Sequence, residues 1–137
     1  MEARPTQKQV ITSSLFWESY DNVYVQGLDL FGFYQAELYA NKIKSILYEL
    51  DQTYPYYPEC RHLATKSRMY RNIILDSHLI IYRITEERIE VLDIFHSASS
   101  MLKIFPGLEH TESFYAFHES PLKAFLVNGR TDYFFPW

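Results

Sequence analysis

The side chains in this sequence best suited to chemistry are two histidines and five cations: His78, His96, Arg61, Lys66, Arg68, Arg71 and Arg83. Histidine exchanges protons near neutral pH and suits general acid–base work. Lysine and arginine steady phosphate oxygens and other anions, arginine through a planar fork. Arg61, His62, Lys66 and Arg68 form one basic loop that leads directly into Arg71. From Tyr56 to Arg83 five Lys/Arg stand against two Asp/Glu, a net of +3 in a chain whose total is −4. From Lys8 to Pro55 the count is three against six, a net of −3. A local basic patch on an acidic chain suits a specific anionic contact, not broad nucleic-acid affinity. The single Cys60 excludes an intrachain disulfide, fits a reducing compartment and has no metal-ligand spacing around it. His110, Glu112 and His118 can be imagined as metal ligands, but the reading is that the chain holds no metal and uses no cofactor.

Positioning these side chains falls to Tyr70–Ser100, YRNIILDSHLIIYRITEERIEVLDIFHSASS. Three apolar, β-branched runs lie in it: Asn72–Leu75, Leu79–Ile84 and Ile89–Phe95. A two-residue break at Asp76-Ser77 and a four-residue break at Thr85–Arg88 separate them, which predicts a three-stranded antiparallel meander. The first turn sets Tyr70 across from Arg83 and Arg71 across from Tyr82. Alternation then places Arg71 and Arg83 on opposite faces unless a bulge intervenes. The plain structural alternative for Arg83 is an ion pair with Glu90 or Asp93, and for His96 a capped strand end.

Upstream, Met1–Gln7 reads as a frayed tail and Lys8–Thr12 as a candidate edge strand. Ser13 or Ser14 can cap a helix that carries Phe16, Tyr20, Tyr24, Leu28 and Phe31 at helical spacing. Glu18 and Asp21 fall in its first turns; Gly27 weakens it and Gly32 ends it. Gln35–Leu50 is a second helix with Ala36, Tyr39, Ile43, Ile46, Leu47 and Leu50 on one apolar face. Asp51–Pro58, with its prolines, stops it. The aromatic stripe reads as core, buried against the meander. Past Ser100, Pro106-Gly107 is a turn and Phe114–Phe117 a candidate strand. Asn128-Gly129, between Phe125–Val127 and Tyr133–Phe135, signals a type I′ hairpin. That tail can add strands to the sheet edge or cover an apolar face.

The fold class expected is therefore α+β. An N-terminal strand, a two-helix hairpin and the meander occupy 1–103, and a C-terminal extension, 104–137, forms a β-hairpin. The 47% hydrophobic and 22% charged content is ordinary for a soluble globular chain. No apolar run approaches about 18 residues and no signal peptide opens the chain, so a cytoplasmic protein without a membrane partner is expected. The 12 Tyr and 10 Phe offer stacking or interface surface.

The order strand, helix, helix, three strands resembles the RelE/ParE superfamily of bacterial type II toxins. So do FWESYDNVYVQG from Phe16, QAELYANKIKSILYEL from Gln35, YPEC at Tyr57–Cys60 and, above all, YRNIIL…LIIYRI…RIEVLDIFHS. The resemblance spans about Val10 to Ser100. It implies a small toxin neutralised by a cognate antitoxin that wraps over the hairpin and sheet, with a heterotetramer as one assembly open to the pair. Two mechanisms occur in the superfamily: ParE-like members poison DNA gyrase, and RelE-like members cleave mRNA on the ribosome without metal. Such cleavage needs a base, an acid and cations on the phosphate. The resemblance would give His96 the proton transfer and Arg71, Arg83, Lys66 and Arg68 the phosphate, with Arg61 and His78 as further target contacts.

The departures are specific. RelE-like nucleases carry more basic residues along the second strand and an Arg opening the third; here Ile73 and Leu79 stand there, or His78 if the register slips by one. Basic residues often follow the fourth strand in both kinds, where this chain has Ser97-Ala98-Ser99-Ser100. A ParE-like binding toxin is therefore slightly favoured over a ribonuclease. A non-toxic member that keeps only antitoxin binding and autoregulation is the third reading.

Overall fold

The computed structural model describes residues 6–60, 63 and 65–97, and the backbone of 114–116. β1 (Gln9–Ser13) leads straight into α1 (Ser14–Phe31), and α2 (Phe33–Thr53) returns antiparallel to it. A 3-10 turn, Tyr54–Tyr56, precedes the meander β2 (Tyr70–Ile74), β3 (His78–Ile84) and β4 (Arg88–His96); β5 (Phe114–Ala116) follows. The strands form one sheet in the order β2-β3-β4-β1-β5. The α+β class, the hairpin of helices and the meander are as the sequence implies. The tail hairpin around Asn128-Gly129 lies outside the described residues.

Local chemistry explains the helix boundaries. Ser13 caps α1, its Oγ accepting from the Phe16 amide at 2.9 Å, and donates in turn to the Leu92 carbonyl on β4. One side chain thus starts the helix and ties it to the sheet. Since α1 begins at Ser14, no acid falls in its first turn, and Glu18 opens the second. Gly32 ends α1 at φ 86°, a backbone angle that costs glycine little, and its amide returns to Leu28 O at 3.1 Å. Gly27 does not interrupt α1. A Cβ there would lie 3.4 Å from that of Ala36, so its lack of a side chain lets the two helices approach.

α2 is longer than expected at both ends. It starts at Phe33 because the single residue Gly32 serves both helix ends. It runs to Thr53 because Pro55 falls inside the 3-10 turn, where its missing N–H costs no helical bond.

β2 and β3 pair in the expected register, Tyr70 with Arg83 and Arg71 with Tyr82. Between β3 and β4 the register shifts at Ile81/Tyr82, with Ile81 opposite Asp93 and Tyr82 opposite Val91, leaving Leu92 as an extra residue. β1 is not an edge strand. It lies parallel to β4 on one side and antiparallel to β5 on the other. The main core joins Phe16, Tyr20, Ile43, Leu47 and Leu50 of the helices to Ile73, Ile80, Tyr82, Val91 and Ile94 of the sheet. A second cluster on the opposite sheet face holds Cys60, Leu63, Ile81, Leu92 and Phe95. Cys60 is buried there, at 3% exposure.

Candidate functional site

The helix-facing side of the meander ends in two facing imidazoles. His78 opens β3, His96 closes β4, and the register makes them direct partners. Their rings stand 5.4 Å apart and nearly perpendicular, at 75°. Tyr39 of α2 completes the group, its hydroxyl 2.8 Å from His78 Nδ1. Beside it Lys42 faces Asp76 of the turn at 3.6 Å. Burial holds the His78 pKa below its ordinary value, and the neighbouring His96 adds to the effect. Burial also raises the Tyr39 phenol, with Asp76 contributing, against a lowering bond to the Ser77 backbone.

These groups lie at one end of a cleft of roughly 330 Å³ between the helical hairpin and the sheet. Tyr24, Leu30, Phe31 and Ala36 make its walls largely apolar. The hairpin tip continues that apolar surface: Leu30, Phe31, Phe33 and Tyr34 are each 62–71% exposed. An exposed tract of this kind is characteristic of an interaction surface.

The sequence singled out His78 and His96 but read Tyr39 only as core. Its place on the apolar face of α2 hid its second use, since a tyrosine can bury its ring and still present a hydroxyl. No residue-type spacing along the chain connects Tyr39 to His78; only the fold does.

The arginines do not join this group. Arg71 shares the helix-facing side but sits level with Tyr82, four residues along β3 from His78, or about 13 Å. Its guanidinium donates to the carbonyls of Pro55 (3.1 Å), Tyr57 (2.8 Å) and Arg68 (2.8 Å), fastening the 3-10 turn and the following loop to β2. Arg83 lies on the opposite face. It pairs with Glu90, which is 4% exposed and also bound by Arg88, while Tyr70 flanks the guanidinium. The structural alternative for Arg83, pairing with Glu90, is the arrangement present.

Of the basic loop, Lys66 and Arg68 are described. Arg68 adopts a left-handed φ of 55° and faces Glu59 at 3.4 Å. Lys66 is exposed on the same loop. Arg61, like His62, His110, Glu112 and His118, lies outside the described residues. Among the described residues no group of three His, Cys, Asp or Glu is arranged to hold a metal ion, and no helix is long and apolar enough to cross a membrane.

What the arrangement offers is therefore two facing imidazoles beside a phenol at the end of an apolar cleft, with the two arginines engaged elsewhere. A solved structure described as the chromosomal ParDE TA system from P. aeruginosa contains a chain of the same fold, with a TM-score of 0.55 at 16% identity. The alignment covers 67% of the present chain and 98% of that one. No curated protein matches the sequence significantly. The family model for the ParE toxin of the type II toxin-antitoxin system, parDE, matches residues 10–101, which takes in β1 through β4 and both helices. The chain belongs to the ParE toxin family of type II toxin–antitoxin systems.

Proposed function

We propose that the chain is a toxin that acts by binding, with DNA gyrase as its target, and that a cognate antitoxin restrains it. The observation that carries this reading is the separation of the groups a ribonuclease would need together. His96 stands with His78 and Tyr39, Arg71 is bound to three carbonyls farther along the sheet, and Arg83 is paired with Glu90 on the other face. Metal-free RNA cleavage requires a base, an acid and cations around one phosphate. A binding toxin requires no such convergence. The apolar cleft and hairpin tip supply surface for protein contacts, and membership of the family supports a paired antitoxin.

A second reading keeps mRNA as the target, because His78, His96 and the Tyr39 hydroxyl are themselves able to exchange protons. One experiment separates the two. The purified full chain is added to gyrase in a supercoiling assay, and transcript ends are mapped after its induction in cells without antitoxin. Loss of supercoiling activity with intact transcripts is the expected result. Unchanged supercoiling, with new mRNA ends that disappear in His96→Ala, would replace the gyrase reading by the ribonuclease one.

A further inference from the structure

Both flanks of the four-stranded unit β2-β3-β4-β1 are covered by the chain itself. On the β2 flank the Pro58–Cys60 segment pairs with the strand, Cys60 N–H donating to Tyr70 O at 2.9 Å and Asn72 N–H to Pro58 O at 3.0 Å. On the β1 flank the cover is β5, in the register Ile11 to Ala116, Thr12 to Tyr115 and Ser13 to Phe114. The family match stops at residue 101, so this second cover comes from the extension.

The β1 flank needs cover more than most. Strand edges left open pair with other strands, and proteins guard them with charge, proline or bulges. β1 reads QVITS: uncharged, rich in β-branched residues, free of proline and paired to β4 without a register shift. We propose that Phe114–Ala116 is a cap held within its own chain, and that the occupant it keeps out is β1 of a second copy, paired antiparallel across a two-fold axis. The edge already bonds an antiparallel strand, so a second β1 in that direction meets the same row of groups. A two-fold axis that places Ile11 against Ile11 of the other chain would pair Gln9 with Ser13 and Val10 with Thr12, a self-complementary arrangement over the whole strand.

A cap of three residues faces a possible competitor of five. It prevails through proximity. The 17 residues from Ser97 to Ser113 tether it to the end of β4, which gives it a high effective concentration that a free second molecule lacks. The proposal is independent of which target the toxin binds.

The test uses the full chain and its Tyr115→Pro variant, in which the cap loses a backbone donor and strand geometry. Tyr115→Thr, which retains both, is the control. Wild type and control are expected at the 16.4 kDa mass of one chain, with the β5-facing amides of Ile11–Ser13 protected from exchange. The proline variant is expected to double in mass as its concentration rises, while retaining the wild-type circular dichroism. At low concentration those amides should exchange roughly tenfold faster or more. A proline variant that stays monomeric with an open edge overturns the proposed occupant. Unchanged protection in that variant, or a wild type already joined through this edge, overturns the cap.

Discussion

Arg83 reaches across the sheet to Glu90, and both its Nε and Nη2 bind the same carboxylate oxygen, Oε1. Arg88 takes the other oxygen, Oε2, at 2.8 Å. Glu90 is thus a buried acid shared between two cations, and Arg83 is its partner before it is anything else. Removing the acid leaves two guanidiniums without their shared anion. Glu90→Ala should cost about 3 kcal/mol by urea unfolding, whereas Arg83→Ala, with Arg88 still in place, should cost about 1–2 kcal/mol. Full toxicity of a folded Arg83→Ala variant is the companion expectation; lost toxicity at unchanged stability would return Arg83 to the functional site.

Arg71 offers a sharper contrast, because its three acceptors are carbonyls in fixed positions. Arg71→Lys preserves charge but not the fork. A phosphate-binding role would survive that exchange in large part. The fastening role should not, and both Arg71→Lys and Arg71→Ala are expected to lose about 2 kcal/mol or more in unfolding experiments.

Much of this arrangement was legible along the chain. The two-residue turn at Asp76-Ser77 determines the β2–β3 register, so the opposite facing of Arg71 and Arg83 followed from counting. Ser13 and Gly32 announce the helix ends through their own chemistry. The place of β1 between β4 and β5 was hidden, because parallel pairing with a strand some eighty residues later leaves no local mark. The bulge at Leu92 was hidden too, since a strand buried on both faces from Val91 to Phe95 shows no strict alternation that an extra residue would break. The grouping of Tyr39 with His78 depends on how α2 lies across the sheet, which periodicity alone does not encode.

The imidazole pair should make stability depend on pH in a defined sense. His78 binds its proton less readily when folded, so its favourable contribution is complete above the unfolded value near 6.5 and is lost as pH falls through the lower folded value. His78→Gln should flatten the loss of stability seen below about pH 6.5 in urea titrations. An unchanged profile would show that the pair is better hydrated than its geometry implies.

Asp93 acts in the opposite direction. It is 7% exposed, and burial is the main reason its carboxyl is raised to about 6, against lowering bonds from Ser19 and the Ile94 amide. Its contribution is present below the unfolded value of 3.8 and is lost as pH rises through about 6. Asp93→Asn should therefore stabilise the fold at neutral pH and leave it little changed near pH 4. With Asp93 removed, the His78 dependence should stand out more clearly.

Ser13 holds two elements at once, as cap of α1 and donor to the buried Leu92 carbonyl. Ser13→Ala is expected to cost about 2 kcal/mol, at the upper end for a helix cap, because the carbonyl is also left without its donor. Ser13→Thr should restore most of the loss.

That same residue ends β1 while α1 begins at the next, so no loop separates strand from helix. The consequence is one of phase. Each residue added between Thr12 and Phe16 would turn α1 by about 100° about its axis. Phe16 and Tyr20 would swing out of the core, and the whole hairpin would carry its tip to a different side of the sheet. The direction in which Phe31 and Phe33 project is therefore geared to the β1–β4 register.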